Sequence, residues 1–182
     1  MKVLVLVGST RQGSFNGRLA DAAVAALPAD VERTSFDITT LPFYNADRDA
    51  AEGLGQVVED FRAAVSEADA VLIASPAYNG GMSAEVKNAI DPASRPRGAA
   101  AIAGTPVAVL TSPYTEQAGV GVVEQLRLAL RIAGATQLPA VNAPFIQAFD
   151  AEGRINATFS AELDDLATAL VHAVEQGGAL AA

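Results

Sequence analysis

Apolar residues recur along the chain in two rhythms. Residues 3–7, 69–74 and 106–111 are short, nearly continuous apolar runs, the pattern of strands covered on both faces. Residues 31–36 alternate more weakly, as for a strand nearer a sheet edge, and 136–141 predicts a fifth strand. Between these runs the apolar positions move to helical spacing. A helix over 14–27 places Phe15, Leu19, Ala22, Ala23 and Ala26 on one face, with Ser14 as its N-cap. A second, from Leu54 to Val65, carries Val57, Val58, Phe61 and Ala64. A short one over 83–90 has Met82, Val86, Ala89 and Ile90 on one side. The helix over 119–133 turns Val123, Leu126 and Leu130 inward and stops at Gly134. The last begins near Ser160 and buries Leu163, Leu166, Ala167, Leu170, Val171 and Val174. Residues 39–51 and 92–104, which contain Pro42, Pro96 and Gly98, read as loops.

Strand and helix alternate five times, which means βαβ units and a parallel sheet. Right-handed crossovers with helices on both faces make a doubly wound, three-layer α/β sandwich. Residues 1–182 read as one domain, without repeat or linker. In such sheets a ligand binds beyond the carboxyl ends of the strands, where the strand order reverses. Three loops are expected to meet there: 8–16, 75–82 and 111–118. All three open on Ser, Thr or Gly-Ser, and two contain Ser-Pro.

Composition narrows what that edge can bind. A net charge of −9 with no Lys/Arg run argues against nucleic acid, whose backbone is met by clustered basic side chains. With 51% hydrophobic and 18% charged residues the chain is of globular type. There is no cysteine, which excludes disulfides, thiolate nucleophiles and Cys-based metal sites, and no metal is expected. The amino terminus does not read as a signal peptide, and no segment approaches the roughly 20 apolar residues that span a bilayer. A cytoplasmic protein without membrane insertion is the expectation. The single histidine, His172, lies opposite Leu163 at helical spacing and so on the wet face, which leaves no Ser-His-Asp arrangement.

The first loop, Gly8-Ser9-Thr10-Arg11-Gln12-Gly13-Ser14-Phe15-Asn16, joins a buried strand to a helix start. Helix-start amides lack partners and carry partial positive charge, so such a turn takes up a phosphate. It is not a Walker A loop: Ser14 stands where the Lys belongs and Phe15 where Ser/Thr belongs. It is not the dinucleotide fingerprint either, because Thr10 replaces the second Gly. Ser9, Arg11, Ser14 and Asn16 suit a single terminal phosphate, and FMN is the common mononucleotide on this architecture. The negative net charge does not oppose this, since screening acts over about 8 Å whereas the loop's donors are local.

Two motifs then carry a resemblance. Gly8-Ser9-x-Arg11-x-x-Ser14-x-Asn16 resembles the phosphate loop of the NADPH-dependent FMN reductase family. Ser75-Pro76-Ala77-Tyr78-Asn79-Gly80-Gly81, followed by Lys87-Asn88-Ala89-Ile90-Asp91, resembles that family's second motif in the same place. The resemblance implies a flavodoxin-like sandwich with a five-stranded parallel sheet in the order 2-1-3-4-5. It implies that Ser9, Arg11, Ser14, Phe15 and Asn16 surround the FMN phosphate, and that Pro76, Ala77, Tyr78, Asn79 and Gly80 run along the flavin ring. Ser112 and Tyr114 of the third loop complete the expected cofactor set. Arg11 contacts either that phosphate or the one on the nicotinamide cofactor, or else only solvent.

The implied activity passes hydride from NADPH or NADH to flavin, then electrons to a small-molecule acceptor: a quinone, an azo compound, a metal oxyanion or free flavin. No side chain is expected to act as a committed catalyst, because the flavin carries the chemistry. The alternative is an FMN-binding electron carrier that does not oxidise NAD(P)H. A homodimer or homotetramer is implied, with Lys87, Asn88 and Asp91 bracing loops or a subunit contact. The sequence departs from the family twice: Pro92 replaces a common aromatic residue, and Tyr114 stands in a loop that is often Ser-Pro-Gly-Gly. Tyr114 either narrows the flavin pocket, stacks beside the cofactor or points to solvent.

Overall fold

The computed structural model describes residues 1–180, so the last two residues of the expected 1–182 domain lie outside the described residues. Each apolar run becomes a strand: β1 Lys2–Val7, β2 Glu32–Ser35, β3 Ala70–Ala74, β4 Pro106–Thr111 and β5 Thr136–Asn142. They pair in parallel as one sheet in the order β2-β1-β3-β4-β5. The chain leaves β1 to one side for β2 and returns to the other side for β3, so the order reverses between β1 and β3. The helices are α1 Phe15–Ala26, α2 Ala46–Ala51, α3 Gln56–Ser66, α4 Ala84–Ala93, α5 Glu116–Ala133, α6 Phe145–Ala148 and α7 Ala157–Leu180.

Strand side chains alternate between faces, and both faces are covered. Leu4, Leu6, Val71, Ile73, Val107 and Val109 pack under α3, α4 and α5 with Phe61, Leu126 and Leu130. Val3, Leu72, Ala108 and Leu110 pack under α1 and α7 with Leu19, Leu163 and Leu170. Two covered faces explain why β3 and β4 are apolar without alternation. Among the described residues no helix is long and apolar enough to cross a membrane.

Several expectations are corrected. Residues 39–51 are not simply a loop: Ile38–Thr40 form a 3-10 turn, and α2 starts where Asn45 Oδ1 accepts from the N–H of Asp47 and Arg48. Helix α4 runs through Pro92 to Ala93; proline there forfeits one backbone donor within a single residue of the helix end, where little is left to disrupt. Helix α5 starts at Glu116 rather than 119, because the Thr115 hydroxyl caps it by accepting from Ala118 N–H. Its inward residue is Val122, with Val123 only partly buried. Helix α7 starts at Ala157. The buried stripe of α1 is Asn16, Leu19, Ala20 and Ala23, turned away from Phe15, Ala22 and Ala26 by packing against α7. Strand β5 extends to Asn142 and accommodates Pro139 in the register shift that falls between Val107 and Val109, on an edge where a missing N–H is tolerated.

Candidate functional site

The first loop follows β1 and turns directly into α1. Gly8 is buried, and a β-carbon there would collide with Ser83 Oγ and Val86 Cγ2 of the neighbouring α4 start, so only glycine lets these segments approach. Gly8 N–H donates to Ala74 O at 2.8 Å, tying this loop to the end of β3. Ser14 is extended and caps α1, its Oγ accepting from Gly17 N–H at 2.9 Å. That leaves the hydroxyl proton of Ser14 and the amides of Phe15 and Asn16, which make no hydrogen bond, at the helix start. Ser9 is half-buried and Arg11 exposed.

The second loop is a two-residue hairpin. Tyr78 and Gly81 exchange backbone hydrogen bonds of 2.9 and 3.0 Å. Between them Asn79 and Gly80 both have positive φ, 52° and 77°, the Asn-Gly pair such a turn requires. The amides of Tyr78 and Gly81 are thereby occupied, while those of Asn79 and Gly80 are not. Ser75 Oγ accepts from Ser83 N–H across the base of the loop, and Gln125 Oε1 of α5 accepts from Met82 N–H. Pro76 is buried, Ala77 half-buried and Tyr78 48% exposed.

Loops one and three are joined by Asn16. Its Oδ1 accepts from Ser112 N–H at 2.9 Å and its Nδ2 donates to Ser112 O at 3.4 Å, across 96 residues of sequence. The side chain of Asn16 is therefore buried within the protein rather than turned outward. The Oγ of Ser112 and of Thr111 are buried without a protein partner, as is Asn142 Oδ1 at the end of β5. Buried polar atoms ordinarily find partners, and the orphan Ser112 hydroxyl belongs to the loop that Asn16 ties to the helix start.

An aromatic row closes one flank. Phe15 stacks on Phe145 of α6, with centroids 4.6 Å apart and planes 7° from parallel. Tyr114 meets Phe145 edge-on at 5.5 Å, and Phe145 N–H donates to Pro113 O. Tyr114, 68% exposed, is thus held against the Phe15–Phe145 pair. Phe145, Gln125, Ser83 and Arg18 (over the Phe15 ring) were not singled out from sequence; only Ser83 had a local signal, as the residue preceding a helix. His172 is exposed, its Nε2 2.8 Å from Gln176. Asn88 braces a loop: its Oδ1 accepts from Tyr44 N–H and its Nδ2 donates to Pro42 O, while Lys87 pairs with Asp91.

Residues 1–150 match the family described as NADPH-dependent FMN reductase. A 2-hydroxy-1,4-benzoquinone reductase from a Burkholderia species is 39% identical over 110 residues, which are 60% of this chain and 59% of that enzyme's length. An NAD(P)H-dependent FMN reductase of Pseudomonas aeruginosa is 36% identical over 94% of this chain and 89% of its own. Among solved structures, the flavoenzyme NAD(P)H:(acceptor) oxidoreductase FerB from Paracoccus denitrificans superposes with a TM-score of 0.82. It is 28% identical, over 97% of this chain and 98% of that one.

Proposed function

This chain belongs to the NADPH-dependent FMN reductase family, and we propose that it is an FMN-dependent NAD(P)H oxidoreductase whose small-molecule acceptor is a quinone. The observation that carries the reading is the meeting of three loops at the sheet's reversal point, around a helix start with unoccupied amides and a buried, unpartnered Ser112 hydroxyl. The names of the Burkholderia and Pseudomonas relatives support the quinone and the nicotinamide.

Ser9, Arg11, Ser14, Phe15 and Asn16 hold the phosphate, the last two through backbone N–H groups. Each charge-assisted bond of this kind contributes roughly 1.5–3 kcal/mol. Pro76, Ala77, Tyr78, Asn79 and Gly80 flank the ring, and Ser112 and Tyr114 lie along the third loop. Bound there, FMN supplies the capacity to accept hydride from NADPH or NADH and to deliver electrons to the acceptor. The free amides of Asn79 and Gly80 are preorganised to stabilise negative charge at a ring edge without reorganisation. Tyr78 offers an aromatic wall. No side chain is assigned a proton-transfer role.

A homodimer is part of this reading. Met82, Ile90, Leu128 and Ile132 line a groove of about 670 Å³ on the α4–α5 face. Leu128 and Ile132 are 50% and 78% exposed, and a second copy covers them.

The test is anaerobic mixing of the FMN-loaded protein with NADPH, then with benzoquinone. Bleaching of the flavin band and its return on adding quinone are expected. Flavin that stays coloured with NADPH would make the protein a carrier, and protein that takes up no FMN would remove the reading altogether.

A further inference from the structure

Arg18 is assigned no role above. It sits in the first turn of α1, and side chains on a helix lean toward its N-terminus. Here the guanidinium carbon lies 5.4 Å from the Phe15 ring centroid. Its Nη2 is 3.8 Å from where a β-carbon on Gly13 would stand, level with the residue before the N-cap. On its other side Nη1 fills the space that any side chain at Gly153 would need. The turn carrying Gly153 is itself pinned: Asp150 Oδ1 accepts from the N–H of Glu152 and Arg154, and its Oδ2 from Arg154 Nε.

The guanidinium is therefore placed between an aromatic ring and a glycine backbone. Phe15 is in turn stacked on Phe145. Arg48, Arg62 and Arg154 are all ion-paired with carboxylates. The side chain of Arg18 makes no ion pair or hydrogen bond among the described residues, although the chain carries 21 Asp and Glu. A planar fork of five donors, held at the flank of an anion-binding turn and not neutralised, matches the geometry of a phosphate. The buried, unpartnered Ser112 hydroxyl, in the third loop that Asn16 ties to the first, is the second sign that a polar ligand belongs at this edge.

We propose that Arg18 is a phosphate-monoester-reading residue of the first loop. The proposal rests on the FMN-dependent reading above, and two sources of that chemistry exist: the 5′-phosphate of FMN and the 2′-phosphate of NADPH. NADH and riboflavin lack the respective groups, which makes each source separable.

The decisive experiment compares wild type with Arg18→Met, which keeps an unbranched stem over Phe15 without the charge. Apoprotein is titrated with FMN and, separately, with riboflavin, by quenching of flavin fluorescence. If FMN is the source, its Kd rises about tenfold, the scale of one exposed charge-assisted contact, while the riboflavin Kd does not move. If NADPH is the source, FMN binding is unchanged, and the loaded enzyme loses about tenfold in kcat/KM for NADPH with NADH unaltered. Arg18→Lys, which keeps the charge, recovers part of either loss. The proposal is overturned if neither pair separates, or if FMN and riboflavin weaken alike, since that is the signature of a packing residue. Wild-type protein that binds neither flavin removes the site reading and this proposal together.

Discussion

The Ser14 Oγ accepts from Gly17 N–H, so the proposed phosphate contact would use the hydroxyl's remaining proton. Ser14→Asp preserves the cap acceptor but sets a carboxylate against a phosphate; FMN content is expected to be lost at an unchanged apoprotein Tm, and full retention would refute the loop assignment. Asn16 behaves differently. Its motif position suggested a phosphate contact, yet its amide is bonded both ways to Ser112. Asn16→Ala leaves a buried N–H unpaired, costing about 1–3 kcal/mol, and urea unfolding of the apoprotein is expected to show that loss. A side chain serving only the ligand would leave apoprotein stability as it was. At Asp150, the Arg154 backbone N–H and then its guanidinium hold the carboxyl below the usual range. Its contribution is therefore present above the unfolded pKa and lost as pH falls through the lower folded value. A carboxyl NMR titration should find that low value, and Arg154→Ala should restore it only part of the way, because the backbone donor remains.

Among the elements, the Asn79-Gly80 hairpin is the one whose backbone conformation bears most directly on the proposed site. With φ at 77°, Gly80→Ala is strained by about 1–2 kcal/mol. The hairpin is exposed, so the expected result is a nearly normal Tm with weakened binding of both FMN and riboflavin, measured by fluorescence; unchanged binding of both would separate the hairpin from the ring. The local signal for this turn is the Asn-Gly pair itself, since both residues tolerate the positive φ it requires. Element ends were less legible. Helix α5 begins three residues early through the Thr115 cap, and α6 spans only four residues, too few to show a period. Phe145 on that short helix was consequently invisible as part of the site.

For the molecule as a whole, the exposed α4–α5 face is the outstanding feature. Ile132→Glu together with Leu128→Glu is expected to convert a dimer to a monomer in sedimentation without loss of the far-UV spectrum; an unchanged mass would place the contact elsewhere. Hydrophobic periodicity by itself determined the five strands, the longer helices between them and thus the edge where the loops gather, because burial of alternating or helical faces is recorded in neighbouring residues. The two motifs marked the loops proposed to hold the cofactor for the same reason: turn-forming glycines and capping hydroxyls act locally. Only the tertiary structure decided which of those side chains are available. Asn16 is drawn into a bond with Ser112, Phe15 is sandwiched by Phe145, and Arg18 rests against Gly153. Those partners lie far along the chain, brought together by sheet order and crossover packing, and no spacing within a motif carries that information.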